Sequence, residues 1–103
     1  MPAYLVIRAR VTDAAGFAPY ARQAAELVQR MGGRYRVVGG RQDLLEGEGA
    51  DVRMVVSEWP DRNGALAFWN SAEYAALKAL RAGTGEFEVR LVDGVEPVKE
   101  DLA

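Results

Sequence analysis

The stretch Ala3-Tyr4-Leu5-Val6-Ile7-Arg8-Ala9-Arg10-Val11-Thr12-Asp13 decides the fold, because it contains a strand and the cap of a helix in direct succession. Leu5, Ile7 and Ala9 alternate with Val6, Arg8 and Arg10. That two-residue period predicts a strand with one face packed and the other mixed. Thr12-Asp13 then offers an N-cap, and Pro19 suits an early helical position. From Phe17, the residues Tyr20, Ala21, Ala24, Leu27, Val28 and Met31 recur at helical spacing, and Gly32-Gly33 stops the helix. Arg22, Gln23, Glu26, Gln29 and Arg30 fill its solvated arc.

The rest of the chain extends this βα start. Arg34 to Val38 predicts a second strand, broken by a bulge or bend at Gly39-Gly40. Asp43-Leu44-Leu45-Glu46 is a candidate for a brief edge strand before the turn Gly47-Glu48-Gly49. Val52 to Trp59 predicts a third strand, ended by Pro60-Asp61. Two helical pieces follow, the first carrying Ala65, Leu66, Phe68 and Trp69. The second is capped by Ser71 and carries Tyr74, Leu77 and Leu80. Gly83 and Gly85 close it, and Phe87, Val89 and Leu91 alternate along a last strand. The order strand, helix, strand, strand, helix, strand is the α+β, ferredoxin-like βαββαβ arrangement, an antiparallel four-stranded sheet with helices on one face. One domain over residues 1–95 and a polar tail over 96–103 are expected.

Composition narrows the chemistry. The 103 residues carry 13 Lys+Arg and 15 Asp+Glu, a formal net charge of −2, which gives no long-range attraction to nucleic acid or to a membrane surface. With no His and no Cys, the chain cannot supply a thiol nucleophile, a Ser-His-Asp triad, a disulfide or a histidine-ligated haem. No metal site and no cofactor are expected. The first residues run straight into strand-like sequence, which reads as cytoplasmic. A core of this size is modest, so association with a second copy is the available source of further burial.

Parity predicts which residues face away from the helices. Val6, Arg8 and Arg10, then Met54, Val56 and Glu58, then Glu88, Arg90 and Val92 share the open face, while Val55 and Trp59 join the helices. That face is too apolar for water and too charged for a dry core, and two copies packed sheet to sheet satisfy both conditions.

Val11-Thr12-Asp13, Tyr20-Ala21, Gly32-Gly33-Arg34-Tyr35, Gly39-Gly40, Leu45-Glu46-Gly47, Arg53 with Val55, Glu58 before Trp59-Pro60, and Ser71-Ala72-Glu73-Tyr74 through Arg81 follow one another in an order and spacing that resemble a known family. It is the uncharacterised domain-of-unknown-function family 1330, within the dimeric α/β-barrel superfamily. Two positions depart from the family pattern: its Trp-Tyr pair before the Ser is Phe68-Trp69 here, and an Arg often preceding the Gly pair is Val38. The resemblance implies the fold and a homodimer, and it suggests a pocket.

The candidate ligand-binding residues are Arg8, Glu58 and Arg90, with Arg53, Tyr74 and Trp69 beside them. Converging on the open face, Arg8, Glu58 and Arg90 would hold a small anionic or carbonyl-bearing molecule, Arg acting as a planar fork for carboxylate. The plain alternative is a cross-strand ladder in which Arg8 pairs with Glu88 or Glu58. Phe68, Trp69 and Tyr74 would wall an apolar pocket or simply fill the core. Ser71 reads as a helix cap, and Tyr35 and Tyr74 are the credible hydroxyl acids. Two functions remain. One is a small-molecule site, either a binding module or a cofactor-independent enzyme in the manner of the superfamily's isomerases and monooxygenases. The other is a non-enzymatic homodimeric domain whose charged face is used entirely in the interface.

Overall fold

Strand alternation and helical spacing emerge in the computed structural model as β1 (Ala3–Val11), α1 (Ala14–Arg30), β2 (Arg34–Val38), β3 (Arg53–Trp59), α2 (Arg62–Trp69), α3 (Ala72–Leu80) and β4 (Gly85–Asp93). The structure describes residues 1–49 and 51–96; apart from Glu96, the expected polar tail lies outside them. The four strands form one antiparallel sheet in the order β2-β3-β1-β4. This is the expected α+β, ferredoxin-like fold. Ile7 lies between Val55 and Val89 in register, and Leu5 between Ser57 and Leu91, so the helix-facing parity read from the sequence holds across three strands.

Side-chain oxygens start all three helices. Asp13 accepts from the Gly16 N–H, Asp61 from the Gly64 N–H, and Ser71 from the Tyr74 N–H. Each satisfies a donor that the first helical turn leaves unpaired. Pro19 stands inside α1 rather than at its first position. It removes one N–H there, and the burial of Tyr20, Ala24, Leu27 and Val28, all C-terminal to it, holds the helix against the core.

Those four residues pack with Leu5, Trp59, Ala65, Phe68 and Tyr74 into the core. Trp59 is 1% exposed; its ring centroid lies 4.9 Å from that of Phe68, and its indole N–H donates to the Ser57 hydroxyl at 2.9 Å. A buried indole needs such an acceptor, so the partner is Ser57, two residues back on the same strand face.

β2 ends at Val38 and Gly39 makes the expected bend, with φ of +59°. Three local features differ from the sequence expectations. A further irregularity lies within β2, between Tyr35 and Val37. Asp43 to Glu46 forms no strand: Leu44 and Leu45 are both exposed, Leu45 at 93%, so no buried face holds the segment against the sheet. The segment is held instead by the Gln42 side-chain amide donating to the Val52 carbonyl at 2.8 Å. β3 begins at Arg53, one residue later than expected.

A Cβ added to Gly33 would stand 2.6 Å from Cζ2 of Trp59, whereas one added to Gly40 meets nothing within 4 Å. Gly33→Ala is therefore expected to destabilise the fold by roughly 1–3 kcal/mol, the cost of overpacking a filled core, with Gly40→Ala close to neutral. Urea denaturation of the two variants checks this.

Candidate functional site

Antiparallel register fixes the open face row by row. Tyr4 stands between Glu58 and Val92, Val6 between Val56 and Arg90, and Arg8 between Met54 and Glu88. Arg8, Glu58 and Arg90 thus occupy three different rows and do not converge on one point. Glu58 is taken by Arg36, whose Nε donates to it at 2.7 Å, and Arg90 donates to Glu88 of its own strand at 2.9 Å. Arg34 is the register partner of Glu58, and Arg36, two residues on and beside the β2 irregularity, reaches it diagonally from the same face. Among the described residues Arg8 makes no ion pair. It borders two solvent-open grooves of about 250 and 370 Å³, one shared with Arg10, Glu86 and Glu88, the other with Asp43, Leu44 and Asp51.

The other face of the sheet holds a more sheltered space. A cavity of about 230 Å³ lies between α1 and the sheet. Ile7, Ala9, Val55 and Phe87 line it from the strands, and Phe17, Tyr20, Ala21, Ala24 and Ala25 from α1. It exists because the facing positions are small: Ala9 beneath and three alanines above cannot span the gap that Leu27, Val28, Phe68 and Trp59 close elsewhere in the core. Arg53 also lines it, sharing the parity of Val55, Ser57 and Trp59, but its side chain is largely exposed. A Cβ on Gly39 would come within 3.0 Å of Arg53 Nε, so the bend at Gly39 and the placement of Arg53 depend on each other.

Arg81 is the exceptional group in that wall. It caps the C-terminal end of α3 and is only 7% exposed. Its guanidinium carbon lies 4.4 Å from the ring centroid of Phe87 and 5.3 Å from that of Tyr20. Its Nη1 is buried with no hydrogen-bond partner. The backbone behind it is tightly tied. The Thr84 hydroxyl donates to the Arg81 carbonyl at 2.6 Å, and the Thr84 carbonyl accepts from the N–H groups of Thr12 at 2.8 Å and Asp13 at 3.1 Å. Gly83, with φ of +78°, makes the tight turn from α3 into β4 possible.

Two tyrosine hydroxyls meet beside it. The oxygens of Tyr20 and Tyr74 are 2.7 Å apart, a buried bond between α1 and α3. Burial, and then the neighbouring Tyr74, push the Tyr20 hydroxyl well above the usual tyrosine range, with Arg81 pulling weakly the other way. Burial also raises Tyr35, which lines the cavity from β2. Tyr74 and Trp69 are outside the main cavity and border a gap of about 20 Å³ next to it; Tyr74 reaches the site through the Tyr20 hydroxyl. Trp69 packs 5.0 Å from Tyr74 and carries Lys78 on its outer face at 4.8 Å.

The six sequence candidates therefore divide. Arg8, Glu58 and Arg90 lie on the open face, and Arg53 lines the helix-side cavity with Tyr74 and Trp69 behind it. Tyr20 and Arg81 did not stand out in the sequence. Tyr20 reads there as one more apolar position on α1. The one signal for Arg81 was its place at the end of the Ser71-to-Arg81 stretch.

A model of the family described as a domain of unknown function, DUF1330, matches residues 2–95. No curated protein matches the chain. Among solved structures, the chain is similar to the RPA0582 protein of unknown function from Rhodopseudomonas palustris, with a TM-score of 0.74 and 16% identity over 93% of this chain and 84% of that one. SnoaB, a cofactor-independent oxygenase from Streptomyces nogalater, superposes with a TM-score of 0.66 at 18% identity, covering 96% of this chain and 98% of that one. A putative antibiotic biosynthesis monooxygenase from Nitrosomonas europaea gives 0.59 at 18% identity, with 92% of each chain covered. At such identities the likeness is one of fold. Among the described residues no helix is long and apolar enough to cross a membrane.

Removing one partner of the tyrosine pair leaves the other hydroxyl buried and unpaired. Tyr74→Phe is expected to cost about 1–3 kcal/mol, and the Tyr20→Phe/Tyr74→Phe double variant to regain most of it. Because the Tyr20 pKa is raised in the folded state, its contribution is complete below the ordinary value of 10.0 and is lost as pH rises beyond it, where only the unfolded chain releases that proton. Urea midpoints followed between pH 7 and 11 (roughly the span that brackets a tyrosine titration) should fall at the alkaline end in the wild type, and less in the double variant.

Proposed function

The chain belongs to the DUF1330 family, and on that footing we propose that it binds a small, largely apolar molecule carrying an anionic or carbonyl oxygen, in the cavity between α1 and the sheet. The observation that carries this reading is Arg81, only 7% exposed and without an ion-pair partner among the described residues, in the wall of an otherwise apolar space. An apolar enclosure with a few polar groups aimed into it is the usual form of a small-molecule site. A guanidinium without a counter-charge is costly to bury, and a ligand oxygen bonded to those of its N–H groups that remain accessible offsets part of that cost. Arg53 stands where a polar end of the ligand would meet solvent.

The open face supports a separate role, association with a second copy. Val6 and Val56 are paired across β1 and β3. Met54 lies near them, Val92 is exposed, and the glutamates and arginines of both signs surround this centre. Such a surface is self-complementary about a two-fold axis: each copy offers apolar residues to apolar ones and opposite charges at the rim. The grooves beside Arg8 would then be enclosed by the partner, bringing the first candidate residues into an interface.

A thermal-shift screen with small phenols, aromatic ketones and carboxylates tests the binding. A compound held at about a hundred times its dissociation constant should stabilise the fold by about 2.7 kcal/mol. Its amide chemical-shift changes should centre on Ala21, Ala24 and Phe87, and Ala21→Leu, which fills the cavity, should abolish them. Shifts confined to the rows of Arg8 and Glu58 would refute the placement on the helix side. Sedimentation at micromolar concentration tests the second role: a dimer is expected for the wild type and a monomer for Val56→Glu, and a stable wild-type monomer would overturn it.

A further inference from the structure

Charge within the cavity wall restricts the ligand further. Two arginines, Arg53 and Arg81, line the space, and no aspartate or glutamate does. Among the described residues the Arg81 guanidinium makes neither an ion pair nor a hydrogen bond, and its only close partners are the rings of Phe87 and Tyr20. Ring faces attract a cation but supply no acceptor for its N–H groups. A role limited to neutralising the C-terminal end of α3 would have the guanidinium bonded to the last carbonyls, and it is bonded to none of them. The backbone that carries the group is fixed by the Arg81–Thr84 turn and by the tie from Thr84 to the cap of α1, and the guanidinium itself packs against the rings of Phe87 and Tyr20. It is a preorganised planar fork without an acceptor.

The shape of the space completes the description. Phe17 and Phe87 are stacked, with ring centroids 5.7 Å apart and planes 15° from parallel, and the Arg81 guanidinium lies over the Phe87 ring, so aromatic groups and the cation form one side of the space. At about 230 Å³ the cavity exceeds the engineered cavity of about 150 Å³ that takes benzene, and it falls below the range of about 300–1,000 Å³ common for drug-sized ligands. It has room for a single substituted ring.

Resting on the binding role proposed above, we infer that the ligand is a single-ring aromatic monocarboxylate, its carboxylate received by the Arg81 guanidinium and its ring held in the apolar part of the cavity that Phe17, Phe87 and the alanines of α1 line. A carboxylate accepts two parallel N–H bonds from one guanidinium, and it neutralises a cation that is otherwise buried without a counter-charge. A neutral carbonyl accepts a hydrogen bond from the guanidinium but leaves the charge uncompensated. A cationic ligand meets neither need and is repelled.

Benzoate and benzamide share ring and size and differ in charge, which makes them the probes. Titrations followed by amide chemical shifts should show benzoate binding at least tenfold more tightly than benzamide to the wild type, with shifts on Ala21, Ala24 and Phe87 and nuclear Overhauser contacts from the probe ring to Phe17 and Phe87. Arg81→Gln should remove the preference for benzoate and Arg81→Lys should keep part of it, while Arg53→Gln should leave most of it intact. Equal or tighter binding of benzamide within the cavity would overturn the carboxylate assignment and leave the cavity as a binding site. Loss of the preference in Arg53→Gln but not in Arg81→Gln would overturn the role of Arg81. If neither probe shifts cavity residues, the carboxylate assignment fails, and the broader binding role is then decided by the phenols and ketones of the screen. The wild-type comparison of the two probes stands even if Arg81→Gln does not fold.

Discussion

The bond between the hydroxyls of Tyr20 and Tyr74 is the contact on which the rest of the site depends. It joins α1 to α3 at 2.7 Å inside the core, where neither oxygen has water as an alternative. α3 is short and packs through few residues; Tyr74 is its one fully buried side chain. Anchoring that residue to α1 determines where α3 ends, and hence where Arg81 enters the molecule. From there the turn through Gly83 to Thr84 returns the chain to Thr12 and Asp13, closing a loop of contacts from the first helix cap to the last strand. The cavity is bounded by the same elements, so its walls are as firmly placed as the core.

What lies inside is set by volume. Along α1 the buried stripe changes from Phe17 and Tyr20 through Ala21, Ala24 and Ala25 to Leu27 and Val28. The large residues of the latter part meet Trp59 and Phe68 and fill the space to the sheet. The alanines face Ala9 and leave a gap that aromatic rings border without filling. Protein interiors are packed closely enough that a gap of this size at one end of a small core is a feature to be explained. The proposed ligand accounts for an apolar gap with a guanidinium in its wall.

Much of this was legible in the sequence, and the parts that were not have identifiable causes. Alternation in Ala3–Val11 and Phe87–Leu91 gave the strand faces, because a two-residue period leaves no freedom once one face is buried. Helix starts were readable at Asp13 and Ser71, whose short side chains suit a cap and little else in those places. The partner of Glu58 was not readable. Alternation along β2 offers it both Arg34 and Arg36, and nothing local says that Arg36, beside the irregularity between Tyr35 and Val37, is the one that bonds. Burial of Arg81 was equally hidden. A basic residue at the end of a short helix is normally a solvated cap, and only the tertiary placement of Phe87 and Tyr20 turns it inward. Tyr20 was recognised as apolar, but its hydroxyl partner lies 54 positions away and leaves no local trace.

The near balance of 13 basic and 15 acidic residues conceals two opposite local situations. On the open face charges of both signs alternate along the strands, and Glu58 and Glu88 are matched by Arg36 and Arg90. In the cavity wall there is positive charge alone. Pairs on an exposed sheet face are worth little individually and mainly set register and orientation. A lone buried cation works against stability, and an apolar side chain of similar length at position 81 would pack against Phe87 without an orphaned donor. Stability therefore does not account for an arginine there. Its guanidinium packs against Phe87 and Tyr20 beside an apolar space of one ring's size and has no acidic partner among the described residues. Under the proposed binding role, an anion entering that space supplies the missing counter-charge.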